Sequence, residues 1–405
     1  MKIILIATIA QIYVFFGRDN LPHKLSEAIS MATFSIDMVF HQVYQDEVVD
    51  SLISAHNRGV KIRVITEHNY SDRVMRLRNA GITVVDEFND TTASEHIMHH
   101  KFMIIDFRDA DTTNDLVWNG SYNASSYIHA DNALLIRSHG LARIFEAEFY
   151  QMWGDTGNIP DSARARTGNN KSDTAPFHTV YVNGTRIDVY FSPQNSPAQI
   201  IERLVSRASS SVDFCIYYFT HMGIASSFAA ALDSGVTVRG VYESSSMYYS
   251  HRTFELLQDH GAQVYVDSTR PTYYFLHHKF MVIDDSIVET GSMNWTLSAN
   301  YSNDENIMII YNRDVARAFE QEFVRRFQEA TGGVGIHEET VSHDTMPTLV
   351  FTKNLSFTDY PVRIYTLSGR LLTTLQRKGD FRGDLAPGVY IAKQGKKTLK
   401  FLKIR

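Results

Sequence analysis

The chain has 405 residues, 44% of them hydrophobic and 21% charged, enough for two or three domains whose cores need no covalent staples. Its single cysteine, Cys215 in the apolar run SVDFCIYYF, excludes internal disulfides and thiolate-zinc sites and reads as a small buried residue. The formal charge of −6 hides an asymmetry: residues 351–405 hold 12 Lys+Arg against 3 Asp+Glu, so residues 1–350 hold 27 against 42, a charge of −15, which repels nucleic-acid backbones and anionic bilayers at long range unless a local basic cleft overrides it.

The chain opens on MKIILIATIAQIYVFF, a lysine and an apolar run too short to span a bilayer. Because QIYVFFGRD aligns with RIDVYFSPQ at Arg186–Gln194, a first strand begins near residue 11. Residues 1–10 are then left as a short or truncated export signal. Further along, KIRVIT, ITVVDEF, KFMIID and NALLIRS read as strands, and DEVVDSLISAHNRG reads as a helix stopped by Gly59.

The same order recurs. SIDMVF (Ser35–Phe40) matches SVDFCI (Ser211–Ile216), NRGVKIRVI matches DSGVTVRGV, and ARIFEAEFYQMW matches ARAFEQEFVRRF. A polar stretch without periodicity, residues 157–178, reads as a linker between a first half (11–156) and a second (179–332). Strands alternating with helices predict an α/β fold: two similar α-β-α layered halves with mixed sheets, packed about a pseudo-twofold axis, in a monomer. Residues 333–405 turn to short β-like runs and predict a small C-terminal β-sandwich.

Each half contains one unusual constellation. IMHHKFMIID places His99 and Lys101 on one face of a strand, with His100, Phe102, Ile104 and Asp106 on the other; LHHKFMVIDD does the same for His277 and Lys279 against His278 and Asp284. Gly-Ser-x-Asn follows in both halves, supplying Ser121 and Asn123, then Ser292 and Asn294, as hydrogen-bond donors. One such match is weak; two, at equivalent places in a repeat, are not chance. Two imidazoles can attack and protonate while two ammonium groups neutralise a tetrahedral anion, which suits a phosphodiester. No His, Cys or carboxylate spacing suggests a metal site, and no cofactor is expected.

These residues resemble the HKD signature of the phospholipase D superfamily, in two copies over about residues 11–330. The resemblance implies metal-free catalysis through a covalent phosphohistidine, with His99 as nucleophile, His277 as acid, and Lys101, Lys279, Asn123 and Asn294 holding the phosphate. It also counts the motif aspartates Asp106 and Asp284 with the catalytic set, although strand parity turns them toward the scaffold. A histidine-orienting glutamate is implied at Glu305. The first half departs from the pattern, offering Asp131 three residues nearer to its asparagine.

The tail segments YTLSGR and LAPGVY before a basic terminus resemble the sorting domain of type IX secretion substrates. They imply a secretion-machinery partner and a secreted or cell-surface location. For the substrate, the acidic body and the aromatic clusters MYYSHRTF and TYYFLHHK favour phospholipid, with nucleic acid, whose bases the same rings could stack, as the alternative. An inert surface binding module is the third reading, opposed by two intact motifs.

Overall fold

The computed structural model describes residues 11–67, 72–86, 96–125, 129–267 and 275–332, and the backbone of five strands between 350 and 403. The chain divides into two compact units, Met1–Gly335 and Ile336–Arg405. The proposed signal (1–10) and the tail positions 367–370 and 385–387 lie outside the described residues.

The first half runs β1 (Ile12–Phe16), α1 (Leu21–Ser30), β2 (Ser35–Phe40), α2 (Asp46–Asn57), β3 (Lys61–Thr66), α3 (Asp72–Asn79), β4 (Thr83–Val85), β5 (Lys101–Ile105), β6 (Leu116–Gly120), β7 (Asn132–Arg137) and α4 (His139–Trp153). The second runs β8 (Thr179–Val182), β9 (Thr185–Ser192), α5 (Pro197–Val205), β10 (Ser211–Ile216), α6 (Met222–Asp233), β11 (Thr237–Tyr242), α7 (Met247–Asp259), β12 (Gln263–Val266), β13 (Lys279–Ile283), β14 (Ile287–Gly291), α8 (Leu297–Tyr301), β15 (Glu305–Tyr311) and α9 (Arg313–Ala330). The first sheet is ordered β1-β7-β6-β5-β2-β3-β4. From β9 the second repeats it as β9-β15-β14-β13-β10-β11-β12, with β8 added at its edge. Both sheets are mixed: β2/β3 and β10/β11 are parallel, while β5 and β13 run antiparallel to their neighbours.

Strand alternation sorts the apolar residues into layers. Met103 and Ile105 of β5 face the outer helices α1–α3, whereas Phe102 and Ile104 face inward. The inward faces of both sheets, with α4 and α9, form one continuous core. The order is helices, sheet, shared helices, sheet, helices. Rings cross the boundary, as where Phe16 meets Phe319 at 5.3 Å and His100 meets Phe191 at 5.9 Å. Exposing such a core would cost about 1.5–3 kcal/mol for each large side chain, so the halves do not separate.

Residues 157–178 are more than a linker: Lys171 is buried and its ammonium is clamped by Glu148 of α4 and, at 2.8 Å, by Asp304 beside β15. A buried cation needs such partners, and they strap the crossing segment to both halves. In the tail, β16 (Val350–Phe351), β17 (Val362–Thr366), β18 (Leu371–Leu375), β19 (Gly388–Gln394) and β20 (Lys397–Lys403) form one sheet, ordered β16-β20-β19-β17-β18. The described tail residues are all strand, in keeping with the expected small β domain. No described helix is long and apolar enough to cross a membrane.

Candidate active site

Each His-Lys motif sits at the start of a central strand, β5 or β13, where its histidine precedes the first ladder residue. The segments before these strands reach into the opposite half. Met98 bridges in parallel to Asp304, and Leu276 to Ala130. The His99 amide donates to the Asp304 carbonyl at 3.0 Å, and the His277 amide to the Ala130 carbonyl at 2.9 Å. Each histidine is thereby laid beside the carboxylate of the other half.

The pairing is reciprocal. His99 Nδ1 lies 2.8 Å from Glu305, and His277 Nδ1 lies 2.8 Å from Asp131 Oδ1. An Nδ1–H donated to a carboxylate leaves Nε2 with its lone pair, the form needed for attack on phosphorus. The pairs differ in electrostatics. Burial pushes the Glu305 carboxyl up to about 8. Asp131 is equally buried, but His277, His129 and Lys279 outweigh that burial and hold it well below the usual carboxylate range. Burial and then Lys101 push His99 far down, with Lys279 and His277 adding to the effect; burial and Lys279 take His277 to about 3. That Lys279 and His277 of the second motif act on His99 of the first places both motifs at one centre.

Lys101 and Lys279 are fully buried. Lys101 Nζ donates to the carbonyl of His99, and Lys279 Nζ to that of His277 at 2.7 Å. These bonds aim each ammonium back at its own histidine and spend one of three protons. Burial lowers both lysines, Lys279 to about 7, and a bound anion would favour the charged form of each. Asn123 and Asn294 each keep a buried amide oxygen with no hydrogen-bond partner, which leaves these side chains available to a ligand.

The serines are placed differently from the expectation. Ser121 Oγ donates its only proton to Asp131 Oδ1 at 2.7 Å and accepts from Asn132 N–H at 3.0 Å. Ser292 likewise accepts from Asn306 N–H at 3.0 Å and bonds Glu305. A hydroxyl with its proton committed to a carboxylate cannot also donate to phosphate, so both serines hold the orienting acids. The preceding glycines serve the same end: a Cβ on Gly120 would lie 2.4 Å from the Asn132 carbonyl oxygen, and one on Gly291 2.3 Å from that of Asn306.

Asp106 and Asp284 stand away from the imidazoles. Asp106 accepts the backbone N–H groups of Thr33, Phe34 and Ser35 at 2.7–3.0 Å, and Asp284 those of Ser209, Ser210 and Ser211 at 2.8–3.2 Å. Both adopt left-handed backbone, φ 64° and 50°, at the ends of β5 and β13. They tie the turns that launch β2 and β10, a scaffold role that removes them from the catalytic set.

Other residues at the centre escaped sequence reasoning. His41 packs its ring 4.9 Å from His99, with Nδ1 3.0 Å from the Met98 carbonyl; Tyr217 packs 4.9 Å from His277. Both follow the last residue of equivalent strands, a signal visible once SIDMVFHQ is laid on SVDFCIYY. His100 contacts Glu148 and Asn306, and His278 contacts Glu322 and Asn132, so these second histidines lock the halves together from behind.

The family model described as cardiolipin synthase, PLD-like domain, matches residues 25–153 and 201–327. A mitochondrial cardiolipin hydrolase of Xenopus tropicalis is 35% identical over 126 residues, 31% of this chain and 59% of that protein. The Homo sapiens protein of the same name is 32% identical over 127 residues, 31% of this chain and 49% of its own length. The chain thus spans half to three fifths of these curated relatives. The solved phosphatidylserine synthase of Haemophilus influenzae superposes with a TM-score of 0.58 over 79% of this chain and 86% of that one, at 14% identity, a likeness of fold. With two matched repeats over more than half of its length and two histidine-lysine pairs at one centre, the chain belongs to the phospholipase D-like family.

Proposed function

We propose that the protein is a secreted phosphodiesterase that hydrolyses phospholipid head-group phosphodiesters through a covalent phosphohistidine, without metal. The observation that carries this reading is the reciprocal pairing of His99 with Glu305 and His277 with Asp131 around two buried lysines. His99 Nε2 attacks phosphorus, forming a P–N bond while the P–O bond to the leaving alcohol breaks, and His277 gives that oxygen its proton. Water then attacks the phosphohistidine, His277 takes the water's proton, and the P–N bond breaks. Burial and the neighbouring lysine keep each free imidazole neutral; the ionised Asp131 can stabilise the imidazolium that forms once a bound phosphate favours a proton on His277, whereas His99 keeps its lone pair for attack. Lys101, Lys279, Asn123 and Asn294 hold the non-bridging oxygens.

For the substrate, the −15 charge of residues 1–350 disfavours a polyanion, and the relatives above are named for hydrolysing cardiolipin. Exposed Tyr248 and Tyr249 favour single-stranded nucleic acid as the second reading, through base stacking. Export rests on the tail's resemblance to a sorting domain and is read by cell fractionation: full-length protein confined to the cytoplasm overturns it.

The deciding experiment presents purified protein with vesicles of phosphatidylcholine, phosphatidylethanolamine or cardiolipin, and with single- and double-stranded DNA, each with and without EDTA. Head-group release that resists EDTA and falls ~10³-fold or more in His99→Ala and in His277→Ala is expected. DNA cleavage without lipid turnover overturns the substrate, and EDTA-sensitive turnover that survives His99→Ala overturns the mechanism.

A further inference from the structure

The two halves share a plan but differ at the rim of the site. In the second half a file of aromatic rings leads outward from His277. Tyr217 lies 4.9 Å from its ring, Tyr218 4.6 Å from Tyr217, Tyr249 6.1 Å from Tyr218, and Tyr248 5.0 Å from Tyr249. All four spacings fall within the range of interacting rings. The file ends in open solvent, with Tyr248 81% and Tyr249 61% exposed.

The surrounding backbone is laced into one surface. Ser250 Oγ of α7 accepts from Phe219 N–H at 3.2 Å, and Thr253 Oγ1 donates to the Phe219 carbonyl at 2.6 Å. On the other side the Trp295 carbonyl accepts from Thr220 and His221 N–H at 2.8 and 2.9 Å. The exposed Met222 and Leu297, at the starts of α6 and α8, follow directly on these bonded segments. The three segments 217–224, 244–252 and 293–301 contain no carboxylate in a body that is otherwise strongly acidic, and they carry Arg252. Glu202, 3.9 Å from His221, and Glu255 on α7 mark the border.

At the equivalent place the first half is charged. Where α6 begins with Met222, α2 begins with Asp46, which pairs with Arg73 at 3.1 Å and Arg76 at 2.9 Å on an exposed face. Among the described residues the apolar rim therefore belongs to the second half.

We infer that this rim, built on Tyr248, Tyr249, Met222 and Leu297, docks the enzyme on a phospholipid surface, with the tyrosine file running from the lipid interface to His277. The inference rests on the phospholipid reading. Tyrosine places an apolar ring and a wet hydroxyl at the depth of lipid head groups. A carboxylate-free, weakly basic face approaches that layer without the repulsion the rest of the surface would meet. Both properties sit on the side of the site that leads to the proton-donating histidine, where the leaving alcohol departs.

The test uses the full chain carrying His99→Ala, so that association is measured apart from turnover, with and without Tyr248→Ser/Tyr249→Ser. Flotation with phosphatidylcholine vesicles, plain or containing cardiolipin, reads binding. The same tyrosine pair in active protein is assayed on soluble bis(p-nitrophenyl) phosphate. A tenfold or greater loss of vesicle association, with bis(p-nitrophenyl) phosphate turnover retained, is the expected result. Unchanged vesicle association, or loss of single-stranded DNA binding with vesicle association intact, overturns the docking face. Vesicles bound through the tyrosines with no head group released would instead sink the substrate reading alone.

Discussion

Glu305, in the second half, holds Nδ1 of His99, in the first, at 2.8 Å across 206 residues of sequence, and Asp131 returns the arrangement to His277 across 146. Each half therefore orients the imidazole of the other. Glu305→Gln and Asp131→Asn keep the shape but substitute an amide whose NH2 can donate to Nδ1 and favour the wrong tautomer, and each is expected to lower kcat by ~10²-fold or more with little change in melting temperature. Steady-state kinetics with thermal melting checks this; a variant that keeps full kcat shows that its carboxylate does not set the tautomer.

The pH dependence of capture follows from Lys279, whose buried ammonium titrates at about 7. A lysine lowered by burial is charged below that pH and neutral above it, so kcat/KM should fall as pH rises from 6 to 8. Lys279→Met should flatten this limb and reduce kcat/KM throughout. A profile that rises across the same window contradicts the assignment of Lys279 as the phosphate clamp.

Asp106 and Asp284 are expected to behave as scaffold residues. Asp106→Asn replaces a charged acceptor of three backbone N–H groups with a neutral amide and should cost about 1–3 kcal/mol of stability. Turnover per folded molecule should stay within a few-fold of the parent, and denaturant melts paired with active-site titration separate the two effects. A collapse of kcat in fully folded Asp106→Asn would return the residue to the catalytic set.

Glu289 of β14 is buried with both carboxyl oxygens unpartnered, and burial raises it to about 8. Its folded-state value lies above the ordinary 4.5, so the folded protein binds the extra proton between those limits and loses stability as pH rises from 4.5 through 8. Glu289→Gln cannot ionise. It should therefore melt near the parent at pH 5 and exceed it at pH 8.5 by an amount on the order of a few kcal/mol. Parallel melting curves for the two proteins across that range would refute this.

What the sequence determined by itself was local and repetitive. Period two separated Phe102 and Ile104 from Met103 and Ile105 along β5, the internal alignment paired β2 with β10, and apolar runs broken by Gly59, at φ +97°, marked helix ends. These follow from backbone geometry that each short segment carries alone. The duplication also announced two sheets of one strand order. Only the tertiary structure decided which carboxylate serves which histidine, because crossed pairing depends on the parallel bridges Met98 to Asp304 and Leu276 to Ala130, far apart in sequence. It alone turned Ser121 and Ser292 onto those carboxylates, since a hydroxyl's partner is set by whichever acceptor packing brings within reach. It buried Lys171 from a segment whose polar composition reads as free linker, because two acids from different halves meet there. And among the described residues it gave the second half a tyrosine rim, a feature of surface that hydrophobic periodicity, which reports the core, does not encode.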